Sequence, residues 1–268
     1  MVSGEEKVIG FGKMVFCLLS IWFSCVEAYS QKAEFSKSIF ISKTKDSLPY
    51  RLLAPQNIKE KKKYPLIHFL HGSGARGKDN EKHLTAIPKS FTDSLIRLKY
   101  PCYILAPQCS ARDAWVNFPS FPQSLEATDT PTTAARLTLE LVKSLIETEK
   151  INPDRIYITG YSLGGEGTFD LISREPNLFA AAVPICPVAD TSKASSVKHI
   201  PIWVFHGSDD KVNPVEYSQM MVKSLVKAGS KPKYTEYKGV GHKCWDKAYA
   251  EPELLPWLFA QRKKKRNK

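Results

Sequence analysis

The 268-residue sequence predicts a single-domain α/β fold built on a mostly parallel central sheet flanked by helices. Three observations predict it. Strand-like runs alternate with helical segments, several of those runs are apolar throughout, and 43% of residues are hydrophobic, enough to fill one large core. No repeat of fixed period interrupts the pattern.

The strand-like runs fall at 66–70, 102–106, 155–159, 179–185, 202–205 and 234–237. Continuous apolarity suits strands covered on both faces, whereas the earlier runs at 35–41 and 48–53 alternate and read as an edge hairpin or meander. Between them, Thr132 and Thr133 open a helix whose Leu137, Leu141, Leu145 and Ile146 share a face, ended at Asn152-Pro153-Asp154. Gly229 closes another that carries Met221, Leu225 and Ala228, and a further helix is expected within 79–98.

The first residues differ in character. Lys7 and Lys13 precede an apolar stretch from Met14 to Val26 that is too short for a comfortable membrane span, and Val26-Glu27-Ala28 offers small residues for cleavage. The expectation is a signal peptide over 1–28, a catalytic domain over 29–261 and a basic, disordered tail over 262–268, hence a secreted or periplasmic protein without an integral membrane domain. Lipid attachment at Cys25 is the alternative to cleavage. Cleavage would leave Cys102, Cys109, Cys186 and Cys244 where disulfides can form. Their spacing fits no metal site and defines no pairing.

A net charge of +12 invites a polyanion, but six positive charges sit in the run after Gln261. Lys59, Lys61, Lys62 and Lys63 lie between predicted strands, as an exposed loop would. No aromatic-interleaved basic groove accompanies either cluster, so no nucleic-acid partner is expected.

Gly160-Tyr161-Ser162-Leu163-Gly164 fits G-x-S-x-G, in which small residues permit a sharp strand-to-helix turn that exposes a serine. The run 155–159 enters it as a strand and 165–174 leaves it as a helix. A serine hydroxyl needs a base, and the base needs a carboxylate that fixes its tautomer. The chain order Ser, acid, His is met by loops after two later strands, His206-Gly207-Ser208-Asp209-Asp210 and Gly239-Val240-Gly241-His242. The residues alone leave Asp209 and Asp210 both open as the acid. For the oxyanion hole the Leu163 amide is the natural first donor. The second is expected from His71-Gly72-Ser73-Gly74, with Ser73 ahead of Gly74 and His71 bracing the loop.

At these residues the chain resembles the α/β-hydrolases, in a branch of secreted phospholipase/carboxylesterase-like, feruloyl-esterase-like or "predicted peptidase" proteins. The resemblance extends over Leu48-Pro49-Tyr50-Arg51, Arg76-Gly77, Asp79-Asn80, Ala106-Pro107-Gln108-Cys109 with Trp115, Pro184-Ile185-Cys186, and the loop from His206 to Pro214. It implies the α/β-hydrolase fold and selects Asp210 over Asp209, giving a triad of Ser162, Asp210 and His242. Glu166 departs from the branch, standing where a large apolar residue is more usual.

Ligand crevices of such sheets lie at the carboxyl ends of the strands, so the 107–131 loop is expected to wall the site; its Trp115, Phe118 and Phe121 either meet substrate or cap the core, with Glu166 and Trp245 as further substrate-binding candidates. The short 186–200 stretch leaves no room for a large lid domain. The expected activity is ester hydrolysis through an acyl-enzyme on a small-molecule or polysaccharide-linked (acetyl or feruloyl) ester, with no cofactor or metal implied. A serine peptidase with the same triad, or a catalytically silent binding protein on this scaffold, are the alternatives. The sequence does not define the oligomeric state.

Overall fold

Strands β1 (Ser36–Ile41), β2 (Ser47–Leu53), β3 (Tyr64–Leu70), β4 (Tyr103–Pro107), β5 (Ile151–Tyr161), β6 (Ala181–Ile185), β7 (Trp203–Gly207) and β8 (Lys233–Tyr237) form one sheet. Its order is β1-β2-β4-β3-β5-β6-β7-β8. This is a computed structural model that describes residues 35–263 together with Met1. Apart from Met1, the expected signal peptide lies outside the described residues, as does all of the basic run beyond Lys263. Among the described residues, no helix is long and apolar enough to cross a membrane.

The alternating runs at the start of the chain do form the edge, with β1 antiparallel to β2 and β2 antiparallel to β4. From β4 onward every neighbour is parallel. The burial that demands apolar residues explains the division. All of β3, β4, β6 and β7 is buried, while β1 alternates between exposed and half-buried positions.

The helices are α1 (Lys89–Thr92), α2 (Ser94–Lys99), α3 (Thr133–Thr148), α4 (Leu163–Arg174), α5 (Ala194–Val197), α6 (Val215–Lys227), α7 (Trp245–Tyr249) and α8 (Leu254–Ala260). In α3 the apolar face of Leu137, Leu141 and Leu145 is buried, and the Thr132 hydroxyl caps its start by accepting the Ala135 N–H at 3.1 Å. The single helix expected within 79–98 is instead a 3₁₀ stretch, Lys82–Ala86, followed by α1 and α2. Pro88 holds extended backbone between the first two, and Asp93 restarts the chain as N-cap of α2, accepting the Leu95 and Ile96 amides at 3.0 Å. Between β6 and β7 the chain adds only a 3₁₀ turn, Thr191–Lys193, and the four-residue α5, so the expected absence of a large lid holds there.

Candidate active site

At the sheet's carboxyl end the chain passes directly from β5 into α4 through residue 162. Ser162 sits there at φ 54°, ψ −125°, a conformation that costs a non-glycine residue energy and persists because its surroundings enforce it. Its N–H donates to Ile185 O at 3.0 Å, and its carbonyl accepts the Glu166 N–H at 2.9 Å. Glycines make the turn possible. A Cβ on Gly160 would stand 2.4 Å from Gly164 O, and one on Gly164 only 2.0 Å from Leu70 O.

The loops after β7 and β8 bring their side chains to this serine. His242 Nε2 lies 2.9 Å from Ser162 Oγ, and its Nδ1 lies 2.7 Å from Asp210 Oδ2. Asp210, buried, has both oxygens occupied. Oδ1 accepts the Val212 and Asn213 amides at 2.8 and 2.9 Å, and Oδ2 faces His206 Nε2 at 3.1 Å as well as His242. With Asp210 ionised, Nδ1–H of His242 donates to it, which leaves Nε2 as an acceptor for the serine hydroxyl proton. Asp209 points elsewhere. Its carboxylate accepts from Ser208 Oγ at 2.6 Å, and its N–H ties the loop to Val240 O at 2.9 Å.

Sequence reasoning did not single out the residues that hold Asp210. His206 is buried, and burial pulls its pKa below the ordinary imidazole range. As a neutral ring it accepts at Nδ1 from Ser218 Oγ (2.6 Å) and donates from Nε2 to Asn213 O (2.8 Å) and Asp210. Asn213 Nδ2 donates to Cys186 O and to Glu166 Oε1, at 2.8 and 3.2 Å. The one signal available was a histidine in an otherwise apolar strand ending in the acid loop.

The candidate oxyanion donors lie on either side of Ser162. Leu163 begins α4, where the first amides have no intrahelical acceptor. Ser73 and Gly74 open the 3₁₀ turn Ser73–Ala75, in which Ala75 N–H bonds Gly72 O, leaving the first two amides of the turn without a turn partner. His71 braces this loop: Nδ1–H donates to Gly72 O (2.8 Å) and Nε2 accepts the Cys109 N–H (3.0 Å), with burial lowering its pKa to about 4. A second brace comes from Gln108, whose Nε2 donates to Ala75 O and Asp79 Oδ1 and whose Oε1 accepts the Asn80 N–H.

Of the aromatic wall candidates, Trp115 is a correction. It is 0% exposed, its indole N–H donates to His71 O at 3.0 Å, and its Cβ fills the space left open by Gly167. An enclosed ring cannot meet substrate, so Trp115 supports the oxyanion-side loop from behind. Trp245 does reach the site. It stacks on Tyr161 at 4.3 Å between centroids and meets the His242 ring edge-on at 5.6 Å. Tyr161, between motif glycine and serine, is packed against Gly72 and joins the two loops, a role the x position of the motif does not announce.

Phe118 and Glu166 share a cleft beside α4 with Asp170, Asp190 and Lys193. Asp170 is paired with Arg174 at 2.6 Å, and Asp190 accepts the Ser192 and Ala127 amides. Burial raises the Glu166 carboxyl to about 7, against the pull of the Asn213 hydrogen bond. Between its ordinary range near 4.5 and pH 7 the folded chain therefore keeps a proton that the unfolded chain has released. Stability falls as pH rises through that window and levels off above it. Glu166→Gln is expected to leave stability at pH 5 little changed and to raise it at pH 8 by about 2 kcal/mol, allowing for residual exposure. Thermal unfolding of both proteins from pH 5 to 8 measures this, and a pH-independent difference would contradict it.

Among the described residues, one set of side chains could present atoms to a metal: Cys186, Asp210 and His242, with ligand atoms within 4.8 Å of one another. The last two already bond each other, so coordination would compete with the serine–histidine–aspartate chain.

Comparison with known proteins follows the same line. The family described as Phospholipase/Carboxylesterase matches residues 56–251. A probable carboxylesterase SOBER1-like protein of Arabidopsis thaliana is 26% identical over 188 residues, covering 66% of this chain and 71% of its own. Acyl-protein thioesterase 1 homolog 2 of Dictyostelium discoideum is 27% identical over 177 residues, 62% of this chain and 78% of its own. The crystal structure of a thermostable esterase superposes with a TM-score of 0.79 at 36% identity over 86% of this chain; the match spans 64% of that esterase's length. A ferulic acid esterase shares the fold at 17% identity, with a TM-score of 0.63 over 84% of this chain and 97% of its own. The chain belongs to the phospholipase/carboxylesterase family of α/β-hydrolases and is a hydrolase of carboxylesterase/thioesterase type.

Proposed function

We propose that the chain is an exported serine carboxylic-ester hydrolase in which Ser162, His242 and Asp210 act as the triad, on short-chain or carbohydrate-linked acetyl or feruloyl esters. The observation that carries this reading is the unbroken hydrogen-bonded line from Ser162 Oγ through His242 to Asp210, at 2.9 and 2.7 Å. His242 Nε2 takes the hydroxyl proton as Ser162 attacks the ester carbonyl, and Asp210 stabilises the imidazolium formed. The amides of Leu163 and of Ser73 or Gly74 receive the oxyanion, His242 returns the proton to the leaving alcohol, and water then releases the acyl group by the same route.

Access supports small or polymer-tethered acyl groups. The His242 side chain is 19% exposed, and the short segment between β6 and β7 brings no lid over it. Export rests on the basic-then-apolar start of the chain and would place the enzyme among extracellular polysaccharide esters. A substrate panel on the purified protein tests the reading. Acetyl and feruloyl oxygen esters are expected to give kcat/KM at least tenfold above long-chain acyl thioesters and peptide amides. Faster cleavage of peptide amides would overturn it.

A further inference from the structure

The loops that carry the acid and the base are bonded to each other as well as to the serine. Ser208 N–H donates to Tyr237 O at 3.0 Å, Asp209 N–H to Val240 O at 2.9 Å, and Gly239 N–H to Ser208 Oγ at 2.8 Å. With the Asp210–His242 bond, and with β7 and β8 paired from Trp203–Lys233 to Gly207–Tyr237, they form one unit. Ser162 stands on a different frame, its N–H held by Ile185 O at the end of β6. The two frames meet in the sparsest part of the sheet, where β6 and β7 pair at Ile185–Phe205 and at the Ala182–Ile202 bridge. Their spacing matters, because misplacing a reacting group by about 1 Å can cost about 10²-fold in rate.

Among the described residues, the hydrogen bonds that run from the 208–214 loop to the end of β6 and to α4 come from one side chain, that of Asn213. Its Nδ2 donates to Cys186 O at 2.8 Å and to Glu166 Oε1 at 3.2 Å, and because a backbone carbonyl can only accept, the orientation of the amide is fixed. Its main chain serves the acid: the N–H donates to Asp210 Oδ1 at 2.9 Å, and the carbonyl accepts His206 Nε2 at 2.8 Å. The residue is buried, and Pro214 after it disfavours helical backbone at 213 and so narrows the directions the side chain can take.

We propose that Asn213 is a positioning residue that holds the Asp210–His242 unit in register with Ser162, an inference that rests on the triad reading above. Without the side chain, acid and base stay bonded to each other but shift together relative to Ser162 Oγ. Proton transfer then slows while ester binding is left as it was.

The test measures p-nitrophenyl acetate hydrolysis well below Tm, so that every variant compared is folded. Asn213→Ala is expected to lower kcat about 10- to 100-fold with KM within about threefold of the parent protein. In a His242→Ala background the same substitution should cost less than about twofold, since no imidazole is left to align, whereas general damage to the fold would lower both backgrounds alike. If Asn213→Ala does not fold, Asn213→Ser takes its place with the same expectations, its hydroxyl ending one bond short of the amide nitrogen. Parental kcat, a loss carried by KM alone, or an equal loss with and without the imidazole would each overturn the proposal. Ser162→Ala is measured beside them. Turnover retained there defeats the triad reading itself, whereas its loss beside an undiminished Asn213→Ala removes the positioning role alone.

Discussion

Ser162→Ala is expected to lower kcat/KM on p-nitrophenyl acetate by about 10⁴-fold or more, while Tm stays within a few degrees of the parent protein. The size follows from what the hydroxyl does. In the proposed mechanism no acyl-enzyme then forms, and His242 can at best assist a water that the site was not shaped to hold. Residual rate above background would come from the Leu163 and Ser73 or Gly74 amides acting on bound ester. Stability should hold because the tight turn is enforced by the backbone bonds of residue 162 to Ile185 and Glu166 and by the close packing at Gly160 and Gly164, none of which uses the side chain. Retained turnover in a folded variant would remove Ser162 from the mechanism.

Asp210→Asn should cost nearly as much, about 10³- to 10⁴-fold in kcat, and should destabilise as well. A carboxylate here accepts from four donors: two backbone amides on Oδ1, and His242 and His206 on Oδ2. An amide has one acceptor oxygen. If it faces the backbone, its NH₂ opposes the two ring N–H groups and drives His242 toward the tautomer whose Nε2 carries the proton and cannot accept one from Ser162. If it faces the rings, the buried Asn213 amide and the part-buried Val212 amide lose their partner, at about 1–3 kcal/mol of stability. Steady-state kinetics together with thermal unfolding separate these arrangements, and wild-type kcat with wild-type Tm would contradict both.

The geometry of the candidate site was legible where chemistry is concentrated in short segments. Ser162, Asp210 and His242 each close or follow a strand whose composition marks it, and the chain order of serine, acid and histidine matches the strand sequence of the sheet. What was not legible depends on contacts between distant parts of the chain. Trp115 reads equally as a substrate-facing or a core-capping loop aromatic until the sheet brings Gly167 against its Cβ and His71 O to its indole, far along the sequence on either side. His206 reads as one more strand residue, because only the α6 residue Ser218 and the neighbouring Asn213 reveal that it orients the acid. The helix expected over 79–98 failed for a local reason, since Pro88 and Asp93 each outweigh the apolar periodicity around them.

Labelling by a fluorophosphonate tests the central claim most directly, because the reagent needs a serine made nucleophilic by its neighbours and leaves a stable adduct. Mass spectrometry of the labelled, digested protein should place one adduct on Ser162, and His242→Ala should slow its formation by about 10³-fold or more. An adduct on any other residue, or equal labelling rates with and without the imidazole, would contradict the account.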